Sequence, residues 1–132
     1  MPRHETNDAR RGCRAFSLIE IVVAVAIIAM LSGAVAVAVI IQKRNADISL
    51  TTSNAEIIRG GVDTWWMSHG ANECPTVKEL VADGALKRGK SAQADAWGQP
   101  WRILCDVGDA TVISRGPDKT PDTEDDIRVP PS

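Results

Sequence analysis

An apolar run of twenty-six residues, Phe16 to Ile41, constrains this chain more than any other part of its sequence. Because a helix rises about 1.5 Å per residue, a run of this length exceeds the roughly 30 Å thickness of a bilayer core. The sequence therefore predicts a membrane-spanning helix over residues 16–41. Its one charged residue is Glu20. Since an isolated charge inside a bilayer costs about 2.5–3.5 kcal/mol or more, we expect Glu20 to meet a cation.

Unequal charges on its two sides predict the orientation of the span. The first fifteen residues carry four arginines and two acids, and the region after Cys105 is acidic. Basic flanks stay in the cytoplasm, so the sequence predicts a cytoplasmic N-terminus and an exported domain over residues 42–132. About ninety exported residues suffice for one small domain, which excludes a multidomain enzyme. The exported part lacks a lysine and arginine cluster able to neutralise a row of phosphates, which argues against nucleic-acid binding.

Three cysteines follow the same division. Cys13 belongs to the predicted cytoplasmic part, whereas Cys74 and Cys105 belong to the exported part. An oxidising compartment would favour a disulfide between Cys74 and Cys105, which would contribute about 3–4 kcal/mol to the free energy of unfolding. A zinc site is not indicated, because the sequence has no CxxC motif and only two histidines.

The residues that follow the span continue a helical pattern. From residue 42 to about 68 the chain has no proline and is rich in helix formers. An apolar stripe recurs there at spacings of three and four: Ile58, Val62, Trp65 and Trp66. We expect this segment to be the exported half of the same helix, with the stripe buried by the rest of the domain. The pair Gly60-Gly61 predicts a local bend.

The last sixty residues alternate short elements with turns. A short helix is predicted from Thr76 to about Ala82, with Thr76 as its N-cap and Glu79 three residues later. Residues 87–94 are predicted to form a polar surface loop. Strand-forming residues predict three β-strands, at 101–105, 111–114 and 127–129, and a turn at 106–109. The predicted fold class is α+β, a long N-terminal helix packed against a short helix and a small antiparallel sheet.

An acidic segment, SRGPDKTPDTEDDI, covers residues 114–127 and is called the acidic loop below. Five carboxylates fall within nine of its residues, beside a glycine and two prolines. One interpretation is a solvated, mobile acidic run. However, the segment lies between two predicted strands, so the fold would hold its carboxylates together and a cation would relieve their repulsion. Ca²⁺ takes six to eight oxygen ligands in irregular geometry and suits this loop better than Zn²⁺ or Mg²⁺, although the spacing is not that of an EF-hand.

The junction RAFSLIE, from Arg14 to Glu20, resembles the processing site of type IV pilins and type II secretion pseudopilins. The resemblance implies that a membrane peptidase cuts between Ala15 and Phe16, removes residues 1–15 as a cytoplasmic leader, and methylates Phe16. It also implies that Glu20 pairs with the terminal amine of a neighbouring copy when copies join a filament. Ala15 stands where that family usually has glycine. An uncleaved signal anchor is the alternative interpretation of the same span.

Two further motifs narrow the resemblance. The pattern DxWGxP that begins at Asp95, followed by SxGPD and TxDDI, is similar to the major, G-type pseudopilin of type II secretion systems, whose C-terminal loop binds calcium. By position, the resemblance implies these calcium ligands: the side chains of Asp118, Asp125 and Asp126, and backbone carbonyls near Ser114 and Arg115. Lys119 and Asp122 stand where the family usually has glycine. Whether Asp122 or Glu124 also binds the metal is left open.

The resemblance implies a structural protein and not an enzyme. It would be the subunit of a periplasmic pseudopilus, a homopolymer that helps to move folded proteins across the outer membrane. Its partners would be the prepilin peptidase, the inner-membrane assembly platform and minor pseudopilins, and before assembly it would sit in the bacterial inner membrane. A type IV pilin for adhesion, motility or DNA uptake is one alternative, although it does not predict both C-terminal motifs. A signal-anchored periplasmic calcium-binding module that never polymerises is another.

Overall fold

A computed structural model describes residues 15–131 of the chain. Within that range the helices are α1 (Leu18–His69), α2 (Val77–Ala82) and α3 (Lys90–Gln93), and the strands are β1 (Arg102–Asp106), β2 (Asp109–Ser114) and β3 (Ile127–Val129). The strands form one antiparallel sheet in the order β1-β2-β3. The predicted α+β, pilin-like fold class is confirmed. Residues 1–14, which include Cys13 and nearly all of the predicted leader, lie outside the described residues.

The first part of α1 is apolar and exposed. The chain divides into two compact units between Val39 and Ile40, and every residue of α1 in the first unit is exposed to solvent. Its length and composition make α1 a helix that could cross a membrane. An exposed apolar surface of this extent needs a cover from outside the chain. The N-terminal helix is therefore compatible with membrane anchoring.

The second unit has its own hydrophobic core, built on the predicted stripe of α1. Ile58 and Val62 are 1% and 0% exposed, and Trp65 is also buried. The other core residues come from α1, from the segment Leu80 to Ala92, and from the sheet: Ala55, Leu80, Leu86, Ala92, Ala110, Val112 and Val129. Trp66 is only partly buried at the edge of this core. The expectation that the later residues would cover the α1 stripe is confirmed.

Gly61 has a packing role that the sequence pattern did not predict. The helix α1 is assigned through both Gly60 and Gly61. A Cβ atom placed on Gly61 would lie 3.3 Å from the backbone carbonyl oxygen of Ala85 and 3.7 Å from Cβ of Leu86. Only a glycine lets the chain after α2 approach α1 this closely without displacement. A Cβ on Gly60 would meet nothing within 4 Å.

The connection between α1 and α2 agrees with the sequence prediction. Thr76 is the N-cap of α2, and its side chain accepts a hydrogen bond from the backbone of Glu79, which reciprocates as a capping box. The backbone N–H and the hydroxyl of Thr76 both donate to the Glu79 carboxylate, and they lower the pKa of that carboxyl below its ordinary value of 4.5. The predicted disulfide between Cys74 and Cys105 is also present, with a Cα–Cα distance of 5.6 Å. It fastens this connection, just before α2, to β1.

Two local predictions are corrected. Residues 87–94 are not all loop, because Lys90–Gln93 form α3; burial of Ala92 in the core and a 2.9 Å hydrogen bond from Trp101 Nε1 to the Ser91 carbonyl hold this turn of helix. The hairpin is also tighter than predicted. Asp106 pairs directly with Asp109 across the strands, so its turn has two residues and not four. The third strand has the predicted bounds.

Candidate processing junction and acidic loop

The predicted cleavage site lies just before α1. Ala15 and Phe16 are outside the helix and exposed, and the Phe16 side chain is 75% exposed. The first helical residue is Leu18. Exposed chain without secondary structure is where proteolysis is favoured. The junction therefore has the accessibility that a peptidase needs.

Glu20 lies in the first turn of α1. Its backbone N–H donates to the Ser17 carbonyl at 3.0 Å, which starts the helix. Its side chain is exposed among apolar neighbours, and none of the ion pairs found within residues 15–131 includes it. A carboxylate near a helix N-terminus is favoured by the helix dipole, and any cation that pairs with Glu20 would have to come from outside residues 15–131.

The acidic loop closes on itself at its two ends. Gly116 has a φ of +67°, and a Cβ placed there would overlap the backbone carbonyl of Asp125. Any Cβ would block that contact, so this position requires glycine, and the entry and the exit of the loop touch through their backbones. Lys119 and Asp122 have φ values of +59° and +62°. The two positions where the resembling family has glycine thus keep a left-handed backbone here.

The three predicted side-chain ligands are placed differently. Both Asp118 oxygens serve the loop itself: Oδ1 accepts from the Thr120 N–H at 3.0 Å and Oδ2 from the Thr123 hydroxyl at 2.9 Å. The Asp125 side chain is in an exposed position. Among residues 15–131, no group of three or more histidine, cysteine, aspartate or glutamate side chains is placed to hold a metal ion. A calcium site here would therefore depend on backbone carbonyls as well as on these carboxylates.

Asp126 is the carboxylate that the structure leaves incomplete. Its side chain is only 2% exposed. Oδ2 accepts a hydrogen bond from the Asp122 N–H at 3.0 Å and lies 3.5 Å from Nη2 of Arg128. Oδ1 is buried and has no hydrogen-bond partner. A buried carboxylate oxygen without a partner is costly, and a bound cation would remove that cost.

Asp122 is engaged with arginines. Its Oδ1 lies 3.5 Å from Nη1 of Arg102 and 3.8 Å from Nη2 of Arg128. A small cavity of about 200 Å³ beside the acidic loop is lined by Arg102, Arg115 and Asp126, among other residues. Asp122 is 68% exposed, so these ion pairs contribute little and do not decide whether it would bind a metal.

A family model described as a prokaryotic N-terminal methylation motif matches residues 10–36. The chain carries a prokaryotic N-terminal methylation motif. No curated protein and no solved structure matches the chain significantly. The methylation motif is typical of type IV pilin-like and pseudopilin precursors, which are structural and typically not enzymes. It implies processing by a prepilin peptidase and assembly into a filament.

The methylation motif includes Ala15, Phe16 and Glu20 but ends long before the acidic loop. It therefore supports the coarser part of the sequence resemblance and does not separate a pilin from a pseudopilin. The calcium ligands, the orientation in the membrane and the type II secretion role stay predictions.

Asp95 holds the start of the acidic loop, a role that the motif DxWGxP did not predict. Its side chain is buried and accepts a hydrogen bond from the hydroxyl of Ser114 at 2.6 Å. The only signal was that both residues stand in the motifs that carry the resemblance, Asp95 in DxWGxP and Ser114 at the first position of the acidic loop. The sequence alone does not show that their side chains touch.

Proposed function

We propose that this chain is the major subunit of a periplasmic pseudopilus, the filament of a bacterial type II secretion system. A prepilin peptidase cuts between Ala15 and Phe16 and methylates Phe16, and the mature chain then begins with the apolar helix. Residues 16–41 leave the membrane to pack against the same helix of neighbouring copies. The methylation motif supports this assembly route. The exposed, apolar first part of α1 supplies the surface for it.

Glu20 is the residue that selects the correct register in this proposal. Cleavage gives each copy a positively charged terminal amine at Phe16. In the filament, this amine pairs with the Glu20 carboxylate of a neighbouring copy. A carboxylate in an apolar bundle is tolerated when a cation and hydrogen bonds meet it, and an unpaired one is strongly destabilising. Copies that dock out of register would leave both charges unpaired.

The acidic loop favours a pseudopilin over a type IV pilin, and the observation that carries this choice is the buried, unpartnered Oδ1 of Asp126. The two oxygens of the Asp126 carboxylate have different surroundings. Oδ2 is held by the Asp122 N–H and lies near Arg128, whereas Oδ1 would be free to bind Ca²⁺. Asp118 and Asp125 would supply further carboxylate oxygens, and backbone carbonyls near Ser114 and Arg115 would complete the oxygen shell that Ca²⁺ prefers.

The other partners follow from the filament. They are the inner-membrane assembly platform, which adds subunits, and minor pseudopilins at the tip. The exported domain lies in the periplasm, where the disulfide between Cys74 and Cys105 is stable. The chain acts as a structural element and needs no catalytic group.

Deletion of the gene in its source bacterium tests the role. We expect export of folded proteins across the outer membrane to stop and to return with the wild-type gene. Loss of surface pili, motility or DNA uptake with normal export would instead establish the type IV pilin alternative.

Mass spectrometry of the complemented strain should show a chain that begins at methylated Phe16. A retained leader in the presence of a prepilin peptidase would support the signal anchor.

Thermal melting tests the calcium site. The full chain in detergent should melt at a higher temperature with Ca²⁺ than with a chelator. At a Ca²⁺ concentration 100 times Kd, the free energy of unfolding should rise by about 2.7 kcal/mol. Asp126→Asn should remove that difference, whereas Glu73→Gln, an exposed acid outside the acidic loop, should keep it. Equal melting temperatures of the wild type with Ca²⁺ and with chelator would eliminate the metal from the proposal.

A further inference from the structure

Asp95 is a buried carboxylate at a corner of the chain, formed by residues 95–101, that precedes β1. It is 7% exposed, yet its oxygens are satisfied. Oδ1 accepts hydrogen bonds from the backbone N–H groups of Trp97 at 3.0 Å and Gln99 at 2.8 Å. Oδ2 accepts from the hydroxyl of Ser114 at 2.6 Å. Three donors satisfy the oxygens of this buried carboxylate and fix its orientation.

The hydroxyl of Ser114 links Asp95 to the entry of the acidic loop. Ser114 is fully buried at the end of β2. A hydroxyl has one hydrogen, and Ser114 gives it to Asp95, which leaves its lone pairs to accept from other donors. One of them accepts from the backbone N–H of Gly116 at 3.1 Å. The direction of that N–H is therefore set, through Ser114, by Asp95.

The N–H of Gly116 and the carbonyl of Arg115 belong to the same peptide unit. Such a unit is planar and trans, so its N–H and its C=O point in opposite directions. Holding the Gly116 N–H toward Ser114 therefore aims the Arg115 carbonyl away from β2. Gly116 also lies against the backbone carbonyl of Asp125, the residue before Asp126, because a Cβ placed on Gly116 would overlap that carbonyl. Asp95 therefore holds the Arg115–Gly116 peptide unit through Ser114, and this unit lies next to the exit of the acidic loop.

We propose that Asp95 is the positioning residue of the calcium site. It does not touch the ion; it holds the hydroxyl of Ser114, which fixes the Gly116 N–H and aims the Arg115 carbonyl into the shell that Oδ1 of Asp126 completes. This inference rests on the proposed calcium site and adds to it the element that preorganises the site. Without the Asp95–Ser114 link, the entry of the acidic loop has to be ordered by the metal itself, which lowers affinity.

The test measures Ca²⁺ affinity by calorimetric titration of the full chain in detergent after treatment with a chelator. Ser114→Ala and Asp95→Asn should each raise Kd at least about tenfold, since each disrupts the same link. The double variant should bind no more weakly than Asp95→Asn alone, because the two residues act through one hydrogen bond. Asp106→Asn and Ser91→Ala, matched changes at exposed positions outside the link, should leave Kd within about twofold.

The outcomes separate positioning from structure. The metal-free melting temperature of each variant is recorded alongside Kd. A lower melting temperature with unchanged Kd, or additive effects in the double variant, would show that the link is structural only and overturn the inference. If Asp95→Asn does not fold, Ser114→Ala alone decides, because it keeps the carboxylate. A wild type that binds no Ca²⁺ would overturn the calcium site and this inference together, whereas wild-type binding with an unaffected Ser114→Ala variant would overturn the inference alone.

Discussion

The two parts of α1 use apolar side chains in opposite ways. In the first unit every described residue of the helix is exposed, and Ile28 is 62% exposed. In the second unit the same helix buries Ile58 and Val62 almost completely against α2 and the sheet. The helical backbone is common to both parts. What differs is where the covering surface comes from, because the chain supplies it for the second part and only lipid or another molecule can supply it for the first.

This difference separates two measurable properties. The stability of the second unit depends on the second part of α1, whereas the proposed assembly would depend on the first part. All four tryptophans lie between residues 65 and 101, so tryptophan fluorescence reports on the domain without reporting on the apolar segment. A variant that lowers both properties equally would argue against the division.

Glu20→Ala should have the largest effect. Filaments should be reduced more than tenfold in cells that also express the peptidase, because an unpaired terminal amine remains in the apolar bundle, and breaking a buried ion pair costs about 3–5 kcal/mol. Electron microscopy and the amount of sedimentable filament measure this effect. Membrane insertion, cleavage after Ala15 and the tryptophan-detected melting temperature should stay unchanged.

Glu56→Ala is the matched control for that experiment. Glu56 is an exposed glutamate on the same helix, but it lies in the second unit. It should assemble like the wild type. Normal assembly by Glu20→Ala, or equal loss in both variants, would contradict a special role for the first carboxylate.

Ile58→Ala should have the next largest effect, and on the other property. Ile58 is 1% exposed in the core, so its truncation should lower the free energy of unfolding by about 2–5 kcal/mol. Ile57→Ala changes the adjacent residue, which is 60% exposed, and should alter stability by less than about 0.5 kcal/mol. Chemical denaturation followed by tryptophan fluorescence measures both. Similar losses of stability in the two variants would contradict the placement of Ile58 in the core and of Ile57 outside it.

Periodicity and turn chemistry were sufficient to predict most of this fold. The 3.6-residue pattern identified the buried stripe from Ile58 to Trp65, and the capping pair Thr76 and Glu79 located the start of α2. α3 was missed because one buried residue, Ala92, decides it within a polar segment. The hairpin turn was placed too broadly because Asp106 and Asp109 look like turn residues, yet they pair across the strands.

The two candidate sites, the processing junction and the acidic loop, were predictable to different extents. A local run of residues is enough to recognise the processing junction, because its chemistry lies in consecutive positions from Ala15 to Glu20. The acidic loop depends on contacts between distant residues, such as Asp95 with Ser114 and Gly116 with Asp125. Composition indicated the carboxylates, but it could not show that Oδ1 of Asp126 is buried without a partner.

Substitutions at Gly60 and Gly61 should change the stability of the second unit by smaller amounts and in different directions. Gly60→Ala should raise stability by about 0.5–1 kcal/mol, because it improves helix propensity at an exposed position with nothing near its new Cβ. Gly61→Ala has the same gain, but its Cβ would lie 3.3 Å from the Ala85 carbonyl and 3.8 Å from Leu80 Cδ1. We expect Gly61→Ala to be the less stable variant by at least about 1 kcal/mol in denaturant titrations. The reverse order would mean that α1 does not pack closely there.

The smallest expected effect is electrostatic and belongs to the exposed edge of the second part of α1. A hydrogen bond from the Arg59 guanidinium at 2.9 Å, and a second from the Ala110 N–H, lower the pKa of the Asp109 carboxyl below its ordinary value of 3.8. Since the folded state binds this proton more weakly than the unfolded state, the contribution is complete above the unfolded pKa and is lost as pH falls through the folded one. The difference in melting temperature between the wild type and Asp109→Asn should therefore be present at about pH 6, shrink below about pH 4, and weaken in high salt. A difference that grows as pH falls would reverse the assigned sign.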